Sequence, residues 1–186
     1  MEELVVGFDR TTLRPTVDLA RAKSRLRELG DSRSLESLLE RARILAAMGE
    51  FERSASLAAS AVVQARTSGL RENALRARLV RASVAEARGL FDRAVREASK
   101  IVEEARSSDL VELWARALQL RGIAHFESGS TREAVDDFTR ALALRRDAEA
   151  PGHLVDESEV SLMVASDRLA RETNAVPKRA VHPLFG

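Results

Sequence analysis

Glycine recurs at an interval of 40 residues, at Gly49, Gly89 and Gly129, and the residues around it recur in the same phase. Leu35/Leu75, Leu39/Leu79, Arg41/Arg81, Ala42/Ala82, Phe51/Phe91, Arg53/Arg93, Ala58/Ala98 and Ala65/Ala105 all match, and a third unit keeps Arg121 and places the small Gly122 in register with Ala42 and Ala82. A period of this size marks stacked supersecondary units, because one unit cannot bury its apolar face alone. Stacking in turn creates an extended surface suited to binding, so the chain reads as an interaction module.

Each unit splits into two apolar runs of helical period. Leu38, Ala42 and Leu45 precede Gly49, and Phe51, Leu57, Ala58, Ala61, Val62 and Ala65 follow it; the second unit repeats the arrangement with Leu75, Leu79 and Ala82, then Phe91, Ala94, Ala98, Ile101 and Val102. Glycine at the break ends a helix by taking up the left-handed conformation, and short turns then force antiparallel pairs. Phe51 and Phe91 are expected as core residues locking the turns. In the third unit Ser130 and Glu133 have capping-box spacing, which predicts a capped helix start.

Outside the repeats, the first 15 residues read as irregular, and Val17 to Leu29 reads as an amphipathic helix closed by Gly30. Beyond the breaker pair Pro151-Gly152 a last helix is predicted from Val155 to Glu172, burying Val160, Met163, Val164 and Leu169. The expected organisation is an arm and capping helix (1–34), three units (35–74, 75–114, 115–154), a C-terminal capping helix (155–173) and a tail (174–186). That tail carries Val176, Val181, Leu184 and Phe185, and is expected to lie in the groove of its own or a neighbouring chain.

Composition narrows function by exclusion. Thirty basic and 29 acidic residues leave a net charge of +1, too little to drive general binding to nucleic acid or anionic membrane. Absent cysteine removes thiol catalysis, disulfides and thiolate metal sites. Tyr is absent and aromatics make up 4 %, which deprives a base-stacking platform of its main ingredient. No basic leader or membrane-length apolar run is present, so a cytoplasmic location is expected. The preference for Arg over Lys, with abundant Ala, fits a GC-rich bacterial genome.

The three histidines, His125, His153 and His182, have no spacing that would aim two at one metal. The acidic clusters Glu103-Glu104, Asp136-Asp137 and Asp156-Glu157-Glu159 read as solvated helix faces. No catalytic, cofactor or metal residue is assigned, and an enzyme is not expected. The row Arg41, Arg81 and Arg121 reads as guanidinium stems laid over apolar neighbours and paired with nearby acids.

A small residue in the first helix, a turn glycine, and Ala, aromatic and Ala down the second helix resemble the tetratricopeptide repeat. Leu118, Gly122, Gly129, Ala134, Phe138 and Ala141 carry this most clearly. The period of 40 exceeds the family's usual length of about 34. Leu38, Arg78 and Leu118 stand where the family has Trp, and Leu45, Ala85 and His125 where it has Tyr, which gives His125 a packing role.

The resemblance implies an all-α, right-handed α-solenoid of about eight helices in antiparallel pairs, with a concave face lined by the first helix of each unit. Groove positions carried over to this chain are Arg43, Arg76, Leu79, Ser83, Glu86, Arg116, Gln119, Leu120, Ile123 and Phe126. The Lys and Asn clamp with which some members grip chaperone carboxylates is missing. An apolar floor edged by Arg suits an amphipathic helix with acidic flanks. The implied function is non-catalytic binding of a peptide or helix of a protein partner. A ligand-sensing or regulatory repeat protein, and a self-associating structural protein forming a homodimer, remain as alternatives.

Overall fold

The structure, a computed structural model, describes residues 4–175. Among these, the chain forms an antiparallel hairpin, β1 (Val5–Asp9) and β2 (Arg14–Val17), followed by eight helices. They are α1 (Leu19–Leu29), α2 (Leu35–Ala47), α3 (Phe51–Thr67), α4 (Arg71–Ala87), α5 (Phe91–Ser107), α6 (Val111–Glu127), α7 (Thr131–Asp147) and α8 (Gly152–Ala175). The chain is an all-α solenoid of antiparallel helix pairs carrying one short hairpin.

The turns explain the antiparallel order. Gly49, Gly89 and Gly129 have φ of 80°, 76° and 86°, which costs glycine little. In each turn the next residue's N–H returns to the preceding helix: Glu50 to the Leu45 carbonyl, Leu90 to Ala85 and Ser130 to His125, at 2.8 to 2.9 Å. The last bond also explains why the expected capping box does not form. Ser130 N–H is already taken, so Glu133 has no free donor to reach back to, and Ser130 makes no side-chain cap bond.

Within each pair, small residues set the approach of the two helices. Ala42 and Ala58 are fully buried in one apolar cluster, and Ala82 and Ala98 in the next. In the third pair the corresponding residues are Gly122 and Phe138. A Cβ added at Gly122 would stand 2.6 Å from Phe138 Cε1 and 2.8 Å from Cδ1. The large ring therefore occupies the space that glycine vacates, and Phe138 is itself fully buried.

Five expectations need correction. Residues 5–17 are a hairpin, not irregular: Leu13 N–H donates to the Asp9 carbonyl and Thr11 N–H to Asp9 Oδ1, both at 2.7 Å, which closes the loop before Arg14. Val17 consequently belongs to β2, and α1 begins after Asp18, whose carboxylate accepts from the Ala20 and Arg21 amides at 2.9 and 3.1 Å. The last helix starts at Gly152 because the Pro151 carbonyl already accepts from Leu154 N–H at 2.9 Å. Its fully buried face is Ser158, Ser161 and Ala165, the two serines meeting polar side chains of α6 and α7, while Met163 is exposed. Phe51 and Phe91 are half-buried at their helix starts and do not form the core.

That polar layer runs across three helices. Arg145 Nη1 donates to Ser158 Oγ (2.7 Å), Ser158 Oγ to Gln119 Oε1 (2.9 Å), and Gln119 Nε2 to Ser161 Oγ (2.9 Å). Each member is buried and makes at least one of these bonds, although Arg145 Nε has no acceptor among the described residues. Placing Leu at 122 is expected to lower stability by about 1–3 kcal/mol through overpacking against Phe138. Chemical denaturation checks this, and a midpoint equal to wild type would contradict the crossing described.

Candidate functional site

The first helices of the units form the inner layer: α2 touches α4, α4 touches α6, and α6 touches α8. Their shared face divides into a covered part and an open part. The N-terminal hairpin covers one side, anchored at three successive helices. Leu4 packs with Ala22 and Ile44, Arg14 reaches Glu86, and Leu13 is 1 % exposed in a cluster with Ile123, Phe126 and Phe138. Arg14 donates from Nε and Nη2 to Glu86 Oε1 at 2.8 and 2.7 Å, and from Nη2 to the Glu86 carbonyl at 3.2 Å. Glu127 lies 3.6 Å from Arg14 as a second carboxylate.

Burial pushes the Glu86 carboxyl above its ordinary value despite Arg14, which pulls the other way by its charge and its hydrogen bond. On the far side of the same face, Arg168 bonds the Phe126 carbonyl at 3.1 Å and sits 4.8 Å over its ring. Phe126 is thus held between the hairpin and α8.

The open part is a cavity of about 420 Å3 between α2, α4 and the first turns of α6. Arg43, Arg76 and Arg116 line it with Leu79 and Leu113, and Glu72, Asp109 and Glu112 stand at exposed positions around it. Arg76 clasps Glu36 in a fork, Nη1 to Oε1 at 2.6 Å and Nη2 to Oε2 at 2.7 Å. That bond is the main reason the Glu36 carboxyl is held below its ordinary range. Arg116 pairs with Glu112 at 2.7 Å, while its Nε is buried with no acceptor among the described residues.

Arg43 makes no hydrogen bond or close ion pair with a described residue; only the more distant Glu36 and Glu40 charges favour its cation. Burial, then the charges of Arg116 and Arg76, push its guanidinium down to about 10, and it remains charged near neutrality. A second cavity, of about 270 Å3, lies beyond Arg116 and is bordered by Leu144, Arg145 and Leu154.

The ten groove positions therefore have different settings. Arg43, Arg76, Leu79 and Arg116 come together at the open cavity. Ser83 is half-buried on α4 and donates to the Val80 carbonyl at 2.8 Å. Glu86 is covered by Arg14, Ile123 and Phe126 by Leu13, Gln119 by α8, and Leu120 lies in the cluster containing Leu79 and Leu113. The expected docking of the tail concerns residues 176–186, outside the described residues.

Sequence reading missed Leu13 and Arg14, whose helix contacts lie far along the chain, and the α6 start that closes the cavity. The Arg row pairs locally: Arg41 with Asp31 (3.7 Å), Arg81 with Glu97 (3.0 Å) and Arg121 with Asp137 (2.6 Å). Glu104, Glu157 and Glu159 likewise pair with Arg78, Arg145 and Arg146. His125 is half-buried, and desolvation lowers its basicity. No described helix is long and apolar enough to cross a membrane.

No family model matches the sequence, and no curated protein matches it. Among solved structures, MamA 41-end from Desulfovibrio magneticus RS-1 aligns with a TM-score of 0.47 at 18 % identity, covering 84 % of this chain and 87 % of that one. A MamA RS-1 ArsTM double mutant aligns with a TM-score of 0.46 at 15 % identity, covering 81 % of this chain and 89 % of that one.

The hairpin latch yields a pH-resolved expectation. Arg14→Ala leaves Glu86 buried without its cation and is expected to cost about 1–3 kcal/mol near neutrality. Because the folded-state value of Glu86 is raised, its protonation stabilises the fold fully below the ordinary 4.5, and that contribution fades as pH rises through the raised value. Losing Arg14 raises it further, so the deficit should narrow as pH falls toward 4.5. Denaturation series across this range check it, and a deficit that is constant or widens on acidification would contradict the latch.

Proposed function

We propose that this protein is a non-catalytic interaction module whose concave face seats a segment of a protein partner, in the manner of tetratricopeptide-like repeats. The observation that carries the reading is the hairpin. The inner helices already take an extended stretch of polypeptide, seating Leu4 and Leu13 in apolar pockets and pairing Arg14 with Glu86, and beside it the face stays open as a cavity. A second polypeptide segment continuing along the face would find the same materials, an apolar floor at Leu79 and Leu113 with charged side chains above it.

The chemistry of the cavity supports recognition over catalysis. Two of its carboxylates and two of its guanidinium groups are engaged in the bridges Glu36–Arg76 and Glu112–Arg116. A carboxylate held below its ordinary range, as Glu36 is, stays ionised and does not exchange protons near neutral pH. Fixed ion pairs around an apolar floor select a complementary surface instead.

A photoreactive amino acid in place of Glu72, which stands exposed at the cavity, should crosslink in cells to one other protein. The same residue at Ser60, exposed on α3, should give no such adduct. An adduct to the chain itself would favour the homodimer reading, and adducts confined to position 60 would overturn the concave face as the binding surface.

A further inference from the structure

Three guanidinium groups converge on the open cavity, and the fold gives only two of them a carboxylate in contact. Glu36 takes Arg76 and Glu112 takes Arg116. Arg43 is half-buried against two like charges, with no acceptor among the described residues. An unpaired, desolvated cation is among the more costly features a small repeat protein can carry, since truncating it or pairing it would relieve the fold. Beside it, Arg116 Nε is buried without an acceptor among the described residues. Among the described residues, Arg43 thus brings to the cavity donors that no acceptor receives.

We propose that Arg43, Arg76 and Arg116 form a socket for one side-chain carboxylate, a Glu or Asp of the partner segment; this rests on the reading of the concave face as the partner's seat. A carboxylate entering the cavity would take the guanidinium fork of Arg43, flanked by the charges of Arg76 and Arg116, in bonds that are stronger for being charged and partly desolvated. Its aliphatic stem would lie on Leu79 and Leu113.

The first turn of α6 lines the same cavity, and its N-cap Leu110 supplies no side-chain acceptor, so the positive end of the helix adds to the field. The rim decides the charge of the ligand. Glu72, Asp109 and Glu112 oppose a second negative charge, so a carboxylate monoanion fits where a phosphoryl dianion is repelled.

The test uses the full chain and follows the arginine Nε–Hε resonances by NMR. The probes are an acetylated, amidated Ala-Leu-Glu-Leu-Ala peptide, its Glu→Gln counterpart, and inorganic phosphate. The Glu peptide should move the Arg43 and Arg116 signals saturably, with the Gln peptide weaker by about tenfold or more. Equal response to the two peptides, or phosphate saturating these signals at lower concentration than the Glu peptide, would overturn the proposal.

Arg43→Gln separates a binding role from a structural one. It should raise the melting temperature, because a buried repulsion is removed, and weaken the Glu peptide by about tenfold or more. A lowered melting temperature with unchanged peptide affinity would overturn the socket. The two readings also fail separately. A socket that takes the Glu peptide, in a protein that crosslinks to no partner from position 72, defeats the functional proposal alone. A crosslinked partner whose affinity is unmoved by Arg43→Gln defeats the socket alone.

Discussion

Each helix pair depends on the volume available where its two helices cross. The first two pairs place Ala at both of the repeat-equivalent positions, Ala42 and Ala58 in one buried cluster and Ala82 and Ala98 in another, and the third brings Gly122 against Phe138. The two solutions keep one backbone geometry with different side chains, since the ring of Phe138 fills what the missing Cβ leaves. Close-packed interiors allow few other exchanges, because an added methyl group must displace a neighbour and a removed one leaves a void. Three equivalent crossings put α2, α4 and α6 side by side, and the concave face follows from that alignment.

The face is then shared between the chain's own hairpin and an open cavity. The hairpin meets the chain at Ile44, Glu86 and Phe126, near the C-terminal ends of three successive inner helices. The cavity lies toward the starts of α4 and α6, where Arg76 and Arg116 occupy equivalent positions and Arg43 joins them from α2. The same stack thus offers one region whose charges are paired internally, as in Arg14–Glu86, and one whose Arg43 has no close partner among the described residues.

The repeat was legible because only small residues tolerate its demands: glycine at a positive φ and alanine at a close crossing. The reverse turns, from the second helix of one unit to the first of the next, obey the same interval with less visible chemistry. Gly69, Asp109 and Glu149 all have positive φ, of 70°, 55° and 49°, but Asp and Glu do not announce that conformation in a sequence. The neighbouring helices impose it on them, and the strain is local. The hairpin was illegible for another reason: Arg14-Pro15-Thr16-Val17 is too short to show alternation, and the residues that hold it lie far along the chain, Glu86 72 positions from Arg14 and the partners of Leu13 farther still. Resemblance located Arg43, Arg76 and Arg116 on the inner face. It could not show that Phe126, Gln119 and Glu86 are covered, because their covers come from the hairpin and α8.

A double-mutant cycle at 122 and 138 tests the crossing argument most directly. If the ring and the glycine share one volume, Gly122→Ala destabilises the wild-type chain but is neutral or stabilising once Phe138→Ala has restored the Ala–Ala pairing of the other units. The coupling energy expected from equilibrium denaturation is about 1–3 kcal/mol in favour of the double variant. Effects that add within about 0.5 kcal/mol would show that the two positions are independent, and would contradict the crossing as the constraint on which the stack is built.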